Sequence, residues 1–179
     1  MNLVLIGYRG TGKSTVARRV ALALDWDWID TDVELELRAG RTIAAIFADE
    51  GEPAFRDLES QVLADLAARD RTVIAAGGGV VLRPDNRAVL RTLGRVAWLR
   101  ADADTIAQRL AADETTRDRR PNLTVAGGRE EIEQLLAVRE PLYAECADVT
   151  VETSGGTPDE IAAEVLARVR PMLSPESRP

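Results

Sequence analysis

The chain has 179 residues, of which 30% are charged and 45% hydrophobic, and its formal net charge is −7. This acidic charge disfavours general binding to nucleic acids or anionic membranes, because such binding requires basic surfaces. No apolar run approaches the roughly 20 residues of a membrane span, and the N-terminus lacks the features of a signal peptide, so we expect a cytoplasmic protein without nucleic-acid or membrane partners.

Strand and helix patterns alternate along the chain. The predicted strands are Asn2–Ile6, Trp28–Asp30, Thr72–Ala76, Arg95–Leu99 and Asp148–Glu152. The predicted helices are Lys13–Leu24, Val33–Arg38, Pro53–Ala68, Asp85–Thr92, Asp102–Ala112, Arg129–Glu140 and Pro158–Val169. The alternation predicts an α/β fold with a five-stranded parallel sheet and helices on both faces. We expect a single domain over residues 1–170 and a disordered tail over residues 171–179.

The segment Gly7–Thr15, GYRGTGKST, lies between the first predicted strand and the first predicted helix. Its spacing matches the phosphate-binding loop, G-x-x-x-x-G-K-[ST]. Backbone N–H groups of such a loop bind phosphate oxygens, and the N-terminus of the following helix favours the same negative charge. We expect Lys13 to contact the β- and γ-phosphates and Ser14 to ligate Mg²⁺. The alternative, a glycine-rich turn with an exposed lysine, is disfavoured by the flanking elements.

Two carboxylates, Asp30 and Asp32, follow the second predicted strand. One could hold Mg²⁺ through water, and the other could accept the proton of an attacking hydroxyl. The alternative is structural, because Asp30 also suits the N-cap of the next helix and Asp32 its first turn. Histidine is absent from the chain, so an imidazole base and histidine-bound zinc are excluded. The single cysteine, Cys146, excludes an internal disulfide, and we expect it to be passive and half-buried.

Three later patterns allow both a structural and a functional interpretation. Arg56 and Glu59 could form a weak surface pair at i and i+3, or Glu59 could orient Arg56 to bind a substrate carboxylate. The triplet Gly77–Gly79 follows the third predicted strand and would let a ligand approach bare backbone, the alternative being a simple loop. Arg139 lies near a predicted helix C-terminus, where the helix dipole favours a cation without any ligand.

Residues 113–128, DETTRDRRPNLTVAGG, show no apolar period and contain three arginines. A loop of this length inside a compact domain is usually functional or disordered. In an enzyme that transfers phosphoryl groups, the segment would be a mobile lid that closes over the nucleotide. The alternative is a solvated, charged loop, and the phosphate-binding loop in the same chain favours the lid.

These motifs, in this order, resemble the shikimate kinase family, and the resemblance covers nearly the whole chain. Its most specific part is Asp30–Glu59, DTDVELELRAGRTIAAIFADEGEPAFRDLE, followed by GGG at 77–79, RRP at 119–121 and REPLY at 139–143. The resemblance implies a P-loop fold like that of the nucleoside monophosphate kinases, with three layers and a lid. It also implies a monomer that uses Mg²⁺ to transfer the γ-phosphate of ATP to the 3-hydroxyl of shikimate, in aromatic amino acid biosynthesis.

The resemblance further implies roles for individual residues. Asp32 would bind the acceptor hydroxyl and act as the base, while Lys13 and the lid residue Arg120 would neutralise charge on the transferring group. The implied nucleotide-binding residues are Gly10, Thr11, Gly12, Lys13, Ser14, Thr15, Arg109, Arg120 and Pro158. The implied shikimate-binding residues are Asp32, Ile43, Phe55, Arg56, Gly78, Gly79 and Arg139. Ser14 would bind Mg²⁺ directly, and Asp30 would bind it through water.

Two other functions remain open at this point. Another small-molecule kinase of the same architecture, such as a gluconate kinase, would keep the phosphate loop and the lid. Such an enzyme would not need Asp32, Arg56 and Arg139 together with the glycine triplet. A nucleotide-binding regulatory domain without catalysis is the second alternative, and it is disfavoured because Lys13, Asp32 and Arg120 are all present.

Overall fold

The computed structural model describes residues 1–112 and 128–173. The strands are β1 (Asn2–Ile6), β2 (Asp27–Asp30), β3 (Thr72–Ala75), β4 (Gly94–Arg100) and β5 (Val149–Glu152). The helices are α1 (Lys13–Leu24), α2 (Thr31–Ala39), α3 (Ile43–Asp65), α4 (Pro84–Leu93), α5 (Ala103–Ala112), α6 (Gly128–Cys146) and α7 (Pro158–Val169). Short 3₁₀ turns cover Leu66–Ala68, Val80–Leu82 and Arg170–Met172. In these two ranges, no helix is long and apolar enough to cross a bilayer.

The strands form one parallel sheet in the order β2-β3-β1-β4-β5. The central strand β1 pairs with β3 at Leu3–Val73 and with β4 at Leu3–Arg95. All five residues of β1 are buried, which explains why its sequence, NLVLI, is almost uniformly apolar rather than alternating. The five-stranded parallel sheet predicted from the sequence is confirmed.

Alternate side chains of β1 form separate cores on the two faces of the sheet. Leu3 and Leu5 pack with buried side chains of α1 and α7. Val4 and Ile6 face the other way and pack with side chains of α3, α4 and α6. Because successive strand residues point to opposite faces, one short apolar strand supports both helical layers. The fold is therefore the three-layer α/β arrangement that was predicted.

Helix α3 begins ten residues earlier than predicted. Thr42 caps it by accepting a hydrogen bond from Ala45 N at 3.2 Å. The helix is then interrupted at Gly51, where φ is 80° and ψ is 177°, two residues before the predicted start at Pro53. Proline is tolerated in the first turn of a helix because its missing N–H would have no partner there. The segment before the interruption was missed because it is short and its apolar residues pack against α2.

Helix α6 extends past Pro141 to Cys146, whereas the sequence predicted an end at Glu140. Proline removes one backbone hydrogen bond and usually ends a helix. Here the residues after it are held by the core, because Tyr143 and Cys146 are buried there. Cys146 is thus buried rather than half-buried, and burial raises the pKa of its thiol. As a second consequence, Arg139 lies within the helix and not at its C-terminus.

The chain beyond α7 is ordered for a few residues. Arg170–Met172 forms a 3₁₀ turn, and Leu173 packs against the core on the α1 and α7 face. The rest of the expected tail, residues 174–179, lies outside the described residues. The limits of the domain at residue 170 and of the tail remain predictions.

Candidate active site

A cavity of about 370 Å³ opens beyond the C-terminal ends of β1, β2 and β3, where ligands of parallel α/β sheets bind. Of the site residues predicted from the sequence, it is lined by Gly10, Gly12, Lys13, Ser14, Thr15, Asp30, Asp32, Ile43, Gly78 and Arg109. The predicted residues that lie outside its lining are Thr11, Phe55, Arg56, Gly79, Arg139 and Pro158. The predicted lid, residues 113–128, lies outside the described residues together with its Arg120, except for Gly128, which is the first residue of α6. The cavity lining thus contains most of the residues predicted to bind the nucleotide and three of the seven predicted to bind the acceptor, which are Asp32, Ile43 and Gly78.

The phosphate loop is shaped by its glycines and folds its lysine back over itself. Gly12, the residue before α1, has φ 89°, a conformation that a side chain would strain. Lys13 Nζ donates hydrogen bonds to the carbonyl oxygens of Gly7 at 2.9 Å and Tyr8 at 2.8 Å. Thr11 Oγ1 donates to the same Tyr8 oxygen at 2.8 Å. The ammonium group therefore lies over the loop, where phosphate oxygens could replace those carbonyls.

Asp30 caps α2, which is the structural role that its sequence position suggested, and it also contacts Ser14. As the N-cap of α2, its Oδ1 accepts hydrogen bonds from Asp32 N at 2.9 Å and from Val33 N at 3.4 Å. Its other oxygen, Oδ2, accepts a hydrogen bond from the Ser14 hydroxyl at the start of α1. A hydroxyl and a carboxylate are the hard oxygen ligands that Mg²⁺ prefers, so these two side chains fit the predicted metal site.

Helix α2 contributes a second carboxylate that the sequence analysis missed. Asp32 and Glu36 lie one helical turn apart and both line the cavity. Glu36 Oε1 also accepts a hydrogen bond from Ile43 N at 3.0 Å, which joins α2 to the first turn of α3. The four-residue spacing from Asp32 was a visible signal, but the sequence alone could not show that this face of α2 points into the cavity.

Arg56 forms a buried ion pair, not a surface pair. Its Nη1 donates to Glu59 Oε2 at 2.9 Å, and its Nη2 donates to Glu52 Oε1 at 2.9 Å. The Arg56 residue is 8% exposed and Glu59 is 3% exposed. Burial by itself would lower the pKa of Arg56, but the Glu59 and Glu52 carboxylates raise it above its ordinary value. Its Cζ lies 5.0 Å from the Phe55 ring centroid, so the guanidinium is held on several sides.

The glycine triplet lies between the two arginines predicted to bind the acceptor. A Cβ added to Gly79 would be 2.2 Å from Arg56 Nη1, so this position has no room for a side chain. On the other side, the carbonyl oxygen of Gly78 accepts hydrogen bonds from Tyr143 Oη at 2.5 Å and Arg139 Nη1 at 3.4 Å. The structure therefore places Arg56 and Arg139 around the same short stretch of backbone.

Arg9 is a cavity residue that the sequence analysis did not single out. Its Nη2 donates to Glu131 Oε1 at 2.8 Å, and Glu131 is fully buried in the first turn of α6. The neighbouring Tyr8 is 1% exposed. Burial raises the pKa of Tyr8, and the charges of Arg9 and Arg139 partly oppose that rise. A charged residue inside a loop of small residues was the one signal that could have drawn attention to this position.

Arg109 connects the phosphate loop to the segment after β5. Its Nη2 donates to the Thr153 carbonyl oxygen at 2.6 Å, and its Nη1 donates to the Gly10 carbonyl oxygen at 3.4 Å. Pro158, by contrast, is exposed at the first residue of α7. There it lies beside a capping box in which Thr157 Oγ1 accepts a hydrogen bond from Glu160 N. Arg109 and Pro158 are both predicted nucleotide-binding residues, but of the two only Arg109 lines the cavity.

Comparison with known proteins settles the family. The family model for shikimate kinase matches residues 9–170. The chain belongs to the shikimate kinase family. Shikimate kinases from Rhodopirellula baltica and Pseudomonas syringae pv. syringae are 45% and 44% identical to it, over 92% and 94% of this chain and 88% and 95% of theirs.

Solved structures support the same assignment. The structure of a shikimate kinase from Acinetobacter baumannii in complex with shikimate is 36% identical, with a TM-score of 0.87. The match covers 97% of this chain and 95% of that one. Family membership confirms the predicted activity, which is ATP-dependent phosphorylation of shikimate. It disfavours the two alternatives, a gluconate kinase and a regulatory domain without catalysis.

Proposed function

We propose that this site transfers the γ-phosphate of ATP to the 3-hydroxyl of shikimate. The observation that carries the proposal is the shared cavity, in which Lys13 of the phosphate loop and Asp32 of α2 line one surface. Two buried arginines, Arg56 and Arg139, flank the adjoining glycine triplet. A nucleotide site, a candidate base and a pair of cations for a carboxylate therefore adjoin one another.

On the nucleotide side, Lys13 would exchange its carbonyl partners for the β- and γ-phosphates. The backbone N–H groups of the loop and the N-terminus of α1 would bind the remaining phosphate oxygens, with the side chains of Thr11 and Thr15 nearby. Arg109 is hydrogen-bonded to the phosphate loop at Gly10 and to the segment after β5 at Thr153, and it would border the base together with Pro158. Arg120 is proposed to reach the transferring phosphoryl group.

Ser14 and Asp30 would hold Mg²⁺, Ser14 directly and Asp30 through water. Their side chains already contact each other at the junction of α1 and α2. When bound, the metal would neutralise charge on the phosphates. The positive end of the α1 dipole acts at the same place and in the same direction.

On the acceptor side, Arg56 and Arg139 would bind the shikimate carboxylate and so fix which hydroxyl faces the nucleotide. Ile43 and Phe55 would form the apolar wall, while the backbone of Gly78 and Gly79 would contact the ring. Orientation of this kind can supply about 7–11 kcal/mol of the barrier. The acceptor is therefore selected by geometry before any bond is broken.

Asp32 is proposed to accept the proton during transfer. The 3-hydroxyl oxygen attacks the γ-phosphorus, the bond to the oxygen bridging the β- and γ-phosphates breaks, and the hydroxyl proton passes to Asp32. Lys13 and Arg120 would neutralise the charge that develops on the transferring group. A carboxylate suits this step because the chain has no histidine.

The first test measures ADP release from Mg·ATP with and without shikimate, in the wild type and in Asp32→Asn. The wild type is expected to turn over only when shikimate is present. Asp32→Asn is expected to lower kcat by about 10²–10⁴-fold, because a positioned acid or base contributes an effect of that size. Asp159→Asn is the matched control, because Asp159 is 81% exposed and pairs with Arg19 on the outer surface.

The possible outcomes separate the parts of the proposal. A variant that keeps most of its activity would remove the proton-accepting role of Asp32 and leave the substrate assignment intact. Stimulation by gluconate in place of shikimate would show that the acceptor is wrong. ATP binding without any acceptor-dependent turnover would favour the regulatory domain.

We also infer that the chain acts as a monomer. The cavity and the residues proposed for both substrates come from one chain. Light scattering after size exclusion, at the concentrations used for the assay, should give the mass of one chain. A dimer whose activity is lost on dilution would contradict this inference.

A further inference from the structure

Arg9 is a cation in the phosphate loop that the roles proposed above do not use. It lines the same cavity as Lys13 and Asp32. Its side chain is only 13% exposed, so the guanidinium is largely withdrawn from solvent. A charge in such a place costs several kcal/mol of desolvation unless it is well paired. The residues around the Arg9 guanidinium should therefore explain why a charged side chain occupies this position.

Arg9 lies on the acceptor side of the cavity. A Cβ added to Gly78 would be 3.2 Å from Arg9 N, so the loop backbone and the glycine triplet are in contact. The Arg9 guanidinium lies over the Tyr8 ring, with Cζ 5.8 Å from the ring centroid. Arg139 contacts the same ring, with its Cζ at 5.5 Å. Arg9 and Arg139 thus share one aromatic ring beside the backbone proposed to contact the acceptor.

Glu131 holds the Arg9 guanidinium in this position. Its carboxylate is fully buried and accepts a hydrogen bond from Arg9 Nη2 at 2.8 Å. A carboxylate in the first turn of α6 is favoured by the helix dipole. Even so, a buried ion pair stabilises a fold little compared with apolar side chains of the same volume. The pair is better explained by the position that it gives the guanidinium than by stability.

The side chains of Tyr8, Arg9 and Arg139 also have polar atoms that could make further hydrogen bonds. Within residues 1–112 and 128–173, the buried atoms Tyr8 Oη, Arg9 Nε and Arg139 Nε lack a hydrogen-bond partner. Buried polar atoms of this kind are uncommon in folded proteins, and each requires an explanation. Three of them around a single ring, next to a cavity, indicate a region that gains partners when a polar ligand binds.

We propose that Arg9 is a further acceptor-binding residue and that Glu131 is the positioning residue that holds it. This inference rests on the proposed function, because it adds a third cation to Arg56 and Arg139. Glu131 fixes one edge of the guanidinium, which leaves other N–H groups of its fork for an acceptor oxygen. The ligand class that fits is a small hydroxylated carboxylate.

The test uses three variants of the pair in the full chain, with kcat and both KM values measured by ADP release. Arg9→Met removes the charge at similar length, Glu131→Gln removes the carboxylate charge without changing its shape, and the third variant combines both changes. Each single change is expected to raise the KM for shikimate about tenfold, as loss of one charge-assisted hydrogen bond would. The KM for ATP and kcat are expected to change by less than about threefold.

The double variant tests whether Glu131 acts through Arg9. If it does, Glu131→Gln adds nothing to the KM of Arg9→Met, because the group that it positions is already gone. Additive increases would overturn the positioning role. Arg19→Met is the matched control, because it breaks an arginine–aspartate pair on the outer surface, and its KM values are expected to equal those of the wild type.

Arg9→Lys keeps the test decisive if Glu131→Gln fails to fold. It preserves the charge without the planar fork and is expected to restore part of the affinity lost in Arg9→Met. A KM for shikimate that is unchanged in Arg9→Met would overturn this inference alone, provided that the wild type turns over shikimate. Parallel rises in the KM for ATP would also overturn it. A wild type without shikimate-dependent turnover would overturn the proposed function and this inference with it.

Discussion

The two halves of the site are built differently. The phosphate-binding part of the nucleotide half comes from one continuous segment, Gly7–Thr15, in which backbone carbonyls hold Lys13 and the glycines shape the loop. The acceptor half is assembled from α3, the glycine triplet and α6. Its Arg56 is held by side chains, above all in the buried Arg56–Glu59 pair, whereas Arg139 donates a hydrogen bond to the Gly78 carbonyl oxygen. Local backbone geometry forms the phosphate loop, whereas the packing of segments that are distant in the sequence brings Arg56 and Arg139 to the same glycine triplet.

This difference predicts how each half responds to mutation. A loop held by backbone hydrogen bonds tolerates changes of many side chains but depends on the few residues that touch phosphate. A charge held by buried partners depends on every partner, because removing one leaves an uncompensated charge. Mutations should therefore impair the nucleotide half only at the few positions that contact phosphate. The acceptor half should also be impaired by mutations of the residues that hold its arginines.

Among the changes that compare the two halves, the largest effect is expected for Lys13→Met. This change removes the cation that is proposed to face the transferring phosphate, and kcat should fall by about 10²–10³-fold, as it does when one stabilising donor is lost. The thermal midpoint should change little, because methionine keeps the apolar stem. The measurement is ADP release at saturating shikimate, with Arg19→Met on the same helix as the control. A variant that retains a tenth or more of the activity would contradict the role of the loop lysine.

The next largest effect is expected for Gly79→Ala. The added Cβ would lie 2.2 Å from Arg56 Nη1 and must displace that guanidinium. A displacement of about 1 Å can cost up to about a hundredfold, so we expect the KM for shikimate to rise about 10- to 100-fold while the KM for ATP stays constant. Steady-state kinetics with each substrate varied in turn would measure both values.

Gly40→Ala separates this effect from backbone strain. Gly40 has φ 66° and open space around its Cα, so an added methyl group meets no neighbour. Its substitution should cost about 1–2 kcal/mol of stability without changing either KM. Equal KM values in Gly79→Ala and the wild type would mean that the position of Arg56 does not determine acceptor binding.

A smaller effect is expected at the capping box of α7, beside the predicted adenine contact. Thr157→Ala removes the side-chain acceptor of Glu160 N and should cost about 1 kcal/mol of stability. For a chain of this size, that cost lowers the thermal midpoint by about 2–4 °C. Calorimetry should detect the shift, whereas Thr92→Ala, at an exposed threonine inside α4, should give a smaller one. A large loss of kcat would show that this cap has a role in the reaction.

The smallest effect is a pH dependence at Asp102, just before α5, the helix that carries Arg109. Hydrogen bonds from the Ser154 hydroxyl and from the backbone and side chain of Thr105 lower the pKa of Asp102 from 3.8 to about 2. Because the folded pKa is the lower one, the carboxylate stabilises the fold above pH 3.8, and this contribution is lost as pH falls from there towards 2.

Asp102→Asn removes that titration. The difference in free energy of unfolding between the wild type and the variant should be constant near neutral pH and should shrink below about pH 4. Urea unfolding at a series of pH values would measure the difference. A difference that grows as the pH falls would mean that folding raises the pKa of Asp102 instead of lowering it.

Much of the fold could be predicted because its signals are local. The buried strand β1, the phosphate loop and the start of α1 lie within 15 consecutive residues, and each has a period or a spacing that one segment reveals. Where an element depends on distant packing, the prediction was wrong. Helix α6 passes through Pro141 because the core holds the residues that follow, and no pattern near the proline reveals that core.

The site shows the same division. Asp30 and Asp32 could be proposed from their spacing, but the hydrogen bond between Asp30 and Ser14 joins residues 16 apart in the chain. Arg9 and Glu131 are 122 residues apart, and each looks like an ordinary surface charge in the sequence. The Arg9–Glu131 pair could therefore not be predicted from the sequence.

By itself, the sequence determined the alternation of strands and helices, the phosphate loop and the family resemblance, because these depend on the order and spacing of neighbouring residues. The tertiary structure decided which charges are buried and which residues hold them. Burial depends on how separate segments pack, and the free energy of a charge changes by several kcal/mol when water is removed from it. The same arginine can thus be an exposed surface residue in one fold and a fixed ligand-binding group in another.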